Sequence, residues 1–219
     1  MTGTVFESDA YDIDPELSAI CGVFEIHISV DPDQIAQLRL FTMKHKMKPI
    51  LAVAQQGKNP NQLMISKWTT GTVIDAAQRA KEIADELTMD GLRVVRVKVE
   101  AMASNKGVPQ EPNGDALPSH YFEFHIKIPV ADDRAWDALE GLAAERGCGV
   151  SFNAFKDSVA ALFTMRVAAS RGYRAAEAMK DALLADIARA GFAAGGEVQR
   201  EFSVLDTDPH YDAGWLPTL

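Results

Sequence analysis

Apolar and polar residues alternate from Phe24 to Val30, the period of a strand with one buried face. Asp31-Pro32-Asp33-Gln34 then supplies a cap, a first-turn proline and a Gln three residues after the cap. That signature predicts a helix with Ile35, Leu38 and Phe41 as its buried stripe. Lys48–Gln55 and Asn61–Thr69 read as a hairpin around Gly57-Lys58-Asn59-Pro60. Thr72 opens a second helix striped by Ile74, Ala77, Ala80, Ala84 and Leu87; Gly91 ends it, and Leu92–Glu100 is a further strand.

The pattern then recurs. Tyr121–Pro129 is a strand, Trp136, Leu139 and Ala143 mark a helix, and Gly149–Lys156 and Ala161–Ala168 are strands. Tyr173, Ala176, Met179, Leu183 and Ile187 mark another helix that Gly191 ends. The last strand region is Phe192–Leu205, where Gly195-Gly196 predicts a bulge or a late start. Phe24-Glu25-Ile26-His27-Ile28 returns as Phe122-Glu123-Phe124-His125-Ile126, Leu63–Lys67 aligns with Leu162–Arg166, and Gly91-Leu92 with Gly191-Phe192. Matches in one order at nearly constant offset point to an internal duplication. The expected organisation is an acidic, solvated arm over residues 1–20, a repeat over 21–103, a Pro- and Gly-bearing linker over 104–119, a second repeat over 120–206, and a tail over 207–219. Each repeat reads strand, helix, strand, strand, helix, strand. This order resembles the ferredoxin-like fold, and the resemblance implies an α+β protein of two βαββαβ repeats, antiparallel sheets with helices on one face.

Composition narrows the function classes. Of 219 residues, 47% are hydrophobic and 24% charged, an ordinary globular balance, and the net charge of −9 speaks against a general nucleic-acid binder. No Lys or Arg precedes Arg39, while eight acids do, so the acidity is mostly an N-terminal feature. The two cysteines, Cys21 and Cys148, lie in different halves and form no CxxC or zinc-ligand spacing. With no signal-peptide pattern and no apolar run of the ~20 residues needed to span a bilayer, a cytoplasmic, membrane-free protein is expected. Walker, GxGxxG, GxSxG and HExxH motifs are all missing, and no cofactor is indicated.

Strand alternation assigns the candidate site. With Phe24, Ile26 and Ile28 facing the helices, Glu25, His27 and Ser29 share the opposite face; in the copy these are Glu123, His125 and Lys127. Thr164 and Arg166, and by alignment Ile65 and Lys67, fall on that open face, as do Arg96, Lys98 and Glu100. A single sheet would leave these charges in water. Two units joined open face to open face would enclose them, an arrangement that resembles the dimeric α+β barrel proteins, whose enclosed space often holds a ligand. Buried charges need partners, so such a cluster is a site candidate.

Four readings follow. In the first, a polar site between the halves binds a small anionic molecule, with Lys67, Arg96, Lys127 and Arg166 supplying charge and Glu25, Ser29, Glu123 and the two histidines hydrogen bonds; the cluster Lys44, His45, Lys46, Lys48 extends the surface or simply ends a helix. In the second, His27-Ile28-Ser29 is similar to the His-x-Thr/Ser motif of the two-histidine phosphoesterases. That resemblance implies His27 and His125 as an acid/base pair, although Lys127 stands where the second Thr or Ser belongs. The third is a metal site of His27 with Glu25 or Glu100 and His125 with Glu123 or Glu201, similar to the vicinal oxygen chelate enzymes, whose modules lack the second helix of each repeat. The fourth is a protein-interaction module using the tail, where Trp215 would waste a large apolar side chain if left in water.

Overall fold

The computed structural model describes residues 11–112, 114, 116–156 and 160–216. Its strands are β1 (Cys21–Val30), β2 (Lys48–Ala54), β3 (Asn61–Thr72), β4 (Val94–Met102), β5 (Tyr121–Pro129), β6 (Gly149–Asn153), β7 (Ala160–Ala168) and β8 (Gln199–Asp206). Its α-helices are α1 (Ile35–His45), α2 (Val73–Met89), α3 (Asp133–Arg146) and α4 (Tyr173–Arg189).

Local chemistry sets the helix ends. Asp31 accepts from the Asp33 amide across a short 3-10 turn before α1. Gln34 does not complete a capping box; its side chain ties to Gly91 O and Arg93 N, fastening α1 to the turn after α2. Thr72 and Asp75 do form a reciprocal capping box on α2. Past α2, Gly91 takes a φ of +81°, a conformation that favours glycine.

The strands close into one antiparallel barrel in the order β1-β3-β2-β6-β7-β5-β8-β4. Within each half the helical crossovers are flanked by long ladders: β1 pairs β3 from Cys21↔Thr72 to Val30↔Leu63, and β5 pairs β7 from Tyr121↔Ala168 to Pro129↔Ala160. Two seams join the halves. The β2–β6 seam runs only from Ala52↔Asn153 to Ala54↔Ser151, and the β4–β8 seam carries a register shift between Val99 and Glu100. Of the arrangements the alternation left open, a wet sheet face or faces joined around an interior, the strands form the second, as a single closed wall that removes every unpaired edge.

Apolar residues of the strands point outward to the helices. Phe24, Ile26, Ile28, Phe122, Phe124, Ile126, Phe163 and Phe202 are fully buried between barrel and helices, each contributing roughly 1.5–3 kcal/mol of hydrophobic stabilisation. The helix stripes differ from expectation at one residue in each long helix. Ile74 is 59% exposed and Met179 40% exposed. On α2 the buried face runs through Val73, Ala76, Ala80, Ile83 and Leu87, and Ile74 lies off it. On α4 the turn expected to bury Met179 buries Lys180 instead, its ammonium held by Glu177 at 3.0 Å and Asp181 at 2.6 Å. Residues 11–20 are not a free arm either: Leu17 and Ile20 are buried, and Ile20 O accepts from Val73 N. The first ten residues of the expected arm lie outside the described residues. Among the described residues, no helix is long and apolar enough to cross a membrane.

Candidate functional site

The alternation that sends Phe and Ile outward sends charged residues inward, and closure of the barrel buries them. Glu25, Ser29, Arg96, Lys98, Glu100, Glu123, Arg166, Glu201 and Asp206 are all nearly inaccessible. Their contacts form one ionic network. Arg96 pairs with Asp206 through Nε at 2.8 Å and Nη2 at 2.6 Å, and Tyr121 OH donates to the same carboxylate at 2.7 Å. Arg166 donates to Glu123 Oε2 from Nε at 2.9 Å and Nη2 at 2.8 Å. Lys98 Nζ lies between Glu100 at 2.7 Å and Glu123 at 2.9 Å. The guanidinium of Arg166 also stacks 4.1 Å from the Tyr121 ring centre.

The two histidines occupy matching places. His27 Nε2 is 3.7 Å from Glu25 and 3.4 Å from Glu100; His125 Nε2 is 3.3 Å from both Glu123 and Glu201. They differ at the other nitrogen. His125 Nδ1 meets Thr164 Oγ1 at 3.1 Å, whereas Ser66, the register partner of His27, gives its hydroxyl to Glu25 and leaves His27 Nδ1 without a hydrogen bond among the described residues. Gln199 links the halves, donating at 2.7 Å to Glu25 and to Glu201.

Electrostatics follow from this packing. Burial alone would pull the His125 imidazolium down, but Glu123 and Glu201 outweigh it and push its pKa up to about 10. Burial, with Glu100 nearby, pushes Glu201 up to about 8. Burial also acts to raise Glu123, yet Lys98 and Arg166 hold it well below the usual carboxylate range. Asp206 and Asp212 are held low against burial by the arginines.

A cavity of about 270 Å³ runs inside the barrel and is lined by Glu25, His27, Ser29, Arg96, Lys98, Glu100, Glu123, His125 and Lys127, with Ile50, Met64, Leu162 and Trp215 as apolar wall. Antiparallel pairing places the starts of β2 and β7 and the ends of β5 and β6 at one end of it. Lys48, Lys127 and Lys156 meet there, all lining the cavity and all exposed. Partial burial and the charges of Lys48 and Lys127 pull the Lys156 pKa down. Among the described residues, none of the three has a carboxylate partner, in contrast to every cation deeper inside. Lys48 thus belongs to the cavity, while Lys44 and His45 pair with Asp90 and Glu86 at the end of α1.

The other end is closed by the tail. Tyr211, Asp212 and Leu216 are buried, and Asp212 Oδ2 takes Arg96 Nη1 at 3.0 Å and Arg166 Nη2 at 2.7 Å. Trp215 packs on Gly149, where an added Cβ would stand 2.4 Å from its Nε1 and 2.8 Å from Leu216 Cδ2. A Gly149→Val variant is therefore expected to dislodge the tail and lose about 1–3 kcal/mol, the usual cost of overpacking, measured by urea unfolding.

Of the residues expected on the open face, Ile65, which stands opposite Ile28 in the outer core, is absent from the interior, and so is Lys67. It stands opposite Ile26 on the outer side of the wall, half-buried, while Ser66 faces His27. The alignment of Leu63 with Leu162 is one residue too long, and a one-residue slip moves a strand residue to the opposite face. The acids Asp206 and Asp212 were not legible as site residues, because their sequence context suggests only a loop. Among the described residues no three His, Cys, Asp or Glu side chains are placed to hold a metal ion; these carboxylates are occupied by Lys98, the arginines and the imidazoles. No protein-family model matches the chain, and no curated protein matches it.

Proposed function

We propose that this protein binds a small anionic molecule inside the barrel, admitted at the end where Lys48, Lys127 and Lys156 meet. The observation that carries this reading is the unpaired state of those three lysines among the described residues, next to a cavity at the small end of the range for ligand sites. Three cations brought together repel one another, and a bound anion relieves that repulsion. The apolar wall of Ile50, Met64 and Leu162 suits a ligand with a short hydrocarbon body, and His27 and His125 supply polar contacts further in. We read the chain as two fused ferredoxin-like repeats, supported by the matched strand orders β4-β1-β3-β2 and β8-β5-β7-β6 and by the equivalent places of His27 and His125.

The phosphoesterase reading is favoured by one feature, that Ser29, Lys127 and both histidines line the same cavity. It needs one imidazole to accept a proton and the other to donate one, and His125, raised by its flanking carboxylates, suits only the donor role; Lys127 also stands where the motif needs a second Thr or Ser. Binding is the reading the geometry supports better. A thermal-shift screen of small carboxylates, nucleotides and cyclic phosphates tests it, because a compound at 100 times its Kd adds ~2.7 kcal/mol of stability. Lys127→Ala is expected to weaken binding of a hit about tenfold by titration calorimetry; affinity unchanged in Lys48→Ala, Lys127→Ala and Lys156→Ala alike would reject the proposed entry.

A further inference from the structure

At the closed end of the barrel, a carboxylate is recognised by donors that come from three strands. Gln62 of β3 donates from Nε2 to Asp212 Oδ1 at 2.8 Å, while Arg96 of β4 and Arg166 of β7 converge on Oδ2 at 3.0 and 2.7 Å. Both arginines are more than nine-tenths buried, and so is Gln62. The donors belong to the barrel wall; the acceptor belongs to the segment that follows the last strand. Each guanidinium also has a carboxylate of its own on a strand, Asp206 for Arg96 and Glu123 for Arg166. Asp212 is an additional carboxylate that the two share.

The segment has other ties to the wall, among them Thr207 with Val97 and Trp215 on Gly149. Lys58 N donates to Ala213 O and Asn59 Nδ2 to Tyr211 O, each at 2.8 Å, and the Arg96 guanidinium lies 5.5 Å from the Tyr211 ring centre. Trp215 and Leu216 form the partition between the interior cavity and an outer cleft beside α3.

We propose that Arg96, Arg166 and Gln62 form a carboxylate-binding site of the barrel, which Asp212 fills as a tethered ligand and which a free monocarboxylate enters when that side chain is removed or displaced. Convergent N–H donors on one carboxylate are the strong, charge-assisted kind of hydrogen bond, and they recognise the group whether or not it is attached to the chain. The tail is then a plug held in place by a competitor of the site's own free ligands. The inference stands apart from the lysine end, since it uses other residues at the other end of the cavity.

Acetate is the probe. In full-length Asp212→Ala, thermal unfolding is followed while acetate replaces chloride at constant ionic strength. The variant is expected to unfold several degrees below wild type and to gain stability saturably with acetate, while wild type and the isosteric Asp212→Asn, whose arginine sites are filled, show no saturable gain beyond one that Lys127→Ala removes. Arg166→Gln added to Asp212→Ala is expected to abolish the response, and Lys127→Ala added to it to leave the response intact. If Asp212→Ala folds only when acetate is present, that too supports the site. No acetate response, an equal response in wild type, a response that survives Arg166→Gln, or a variant that stays unfolded in acetate would overturn it. Loss of the response in the Lys127→Ala double variant would move the acetate site to the lysine end and overturn the assignment to the arginines.

Discussion

Glu123→Ala is expected to lose about 3–5 kcal/mol of stability, the cost of removing one member of a buried ionic network. Glu123 is the shared partner of Lys98, Arg166 and His125. Without it, these cations remain buried in the barrel, and their other carboxylates are already engaged. Glu123→Gln keeps one acceptor oxygen and is expected to lose less. The network is not a net source of stability in proportion to its contacts, because desolvation offsets much of the attraction. A triple variant, Glu123→Leu with Lys98→Met and Arg166→Met, is accordingly expected to recover part of the loss. Urea unfolding of the three proteins measures the order; a Glu123→Ala variant as stable as wild type would mean that the interior charges are solvated.

Raising the pH through the range above 6.5 is expected to destabilise the protein. His125 has a folded pKa near 10, above its ordinary 6.5, so its contribution is complete below 6.5 and is lost as pH rises through 10. Glu201 has a folded value near 8 against an ordinary 4.5, so the folded chain also holds its proton in a range where the unfolded chain has released it. Both slopes have the same sign, about 1.4 kcal/mol per pH unit for each proton released on unfolding. On the acid side the order reverses. Glu25, Glu123, Asp206 and Asp212 are held low, so their contribution is present above the ordinary carboxylate range and is lost as pH falls below it. His120, lowered by burial, adds to that acid-side loss. Because the Glu201 loss already begins above pH 4.5, stability should peak near pH 5. Tm measured from pH 4 to 10 checks the dome, and Glu201→Gln should flatten its alkaline limb.

Most of the wall could be read along the chain. The alternation around His27 and His125 gave the correct inward residues on β1 and β5, because a strand has only two faces and Phe or Ile on one assigns the other. Arg96, Lys98 and Glu100 followed by the same logic. Lys67 failed because its face was borrowed from an alignment, and β3 and β7 correspond at the offset of β1 and β5, one residue shorter than the match of Leu63 to Leu162 suggested. Lys156 was legible as a residue at a strand end that could line a site; its meeting with Lys48 and Lys127 depends on strands from both halves ending together.

What the chain determines by itself is local: the order of strands and helices, the cap at Thr72, and the inward and outward residues of most strands. These depend on neighbours within a few positions, where periodicity and hydrogen-bonding chemistry act. Closure is not local. It rests on the short β2–β6 seam and the shifted β4–β8 seam, whose residues carry no mark of their partners because backbone hydrogen bonds are alike at every position. Only tertiary structure decided that Glu25 and Glu123 would be buried in one interior. It also decided that Asp212, on an irregular tail with no periodicity to read, would end between two arginines.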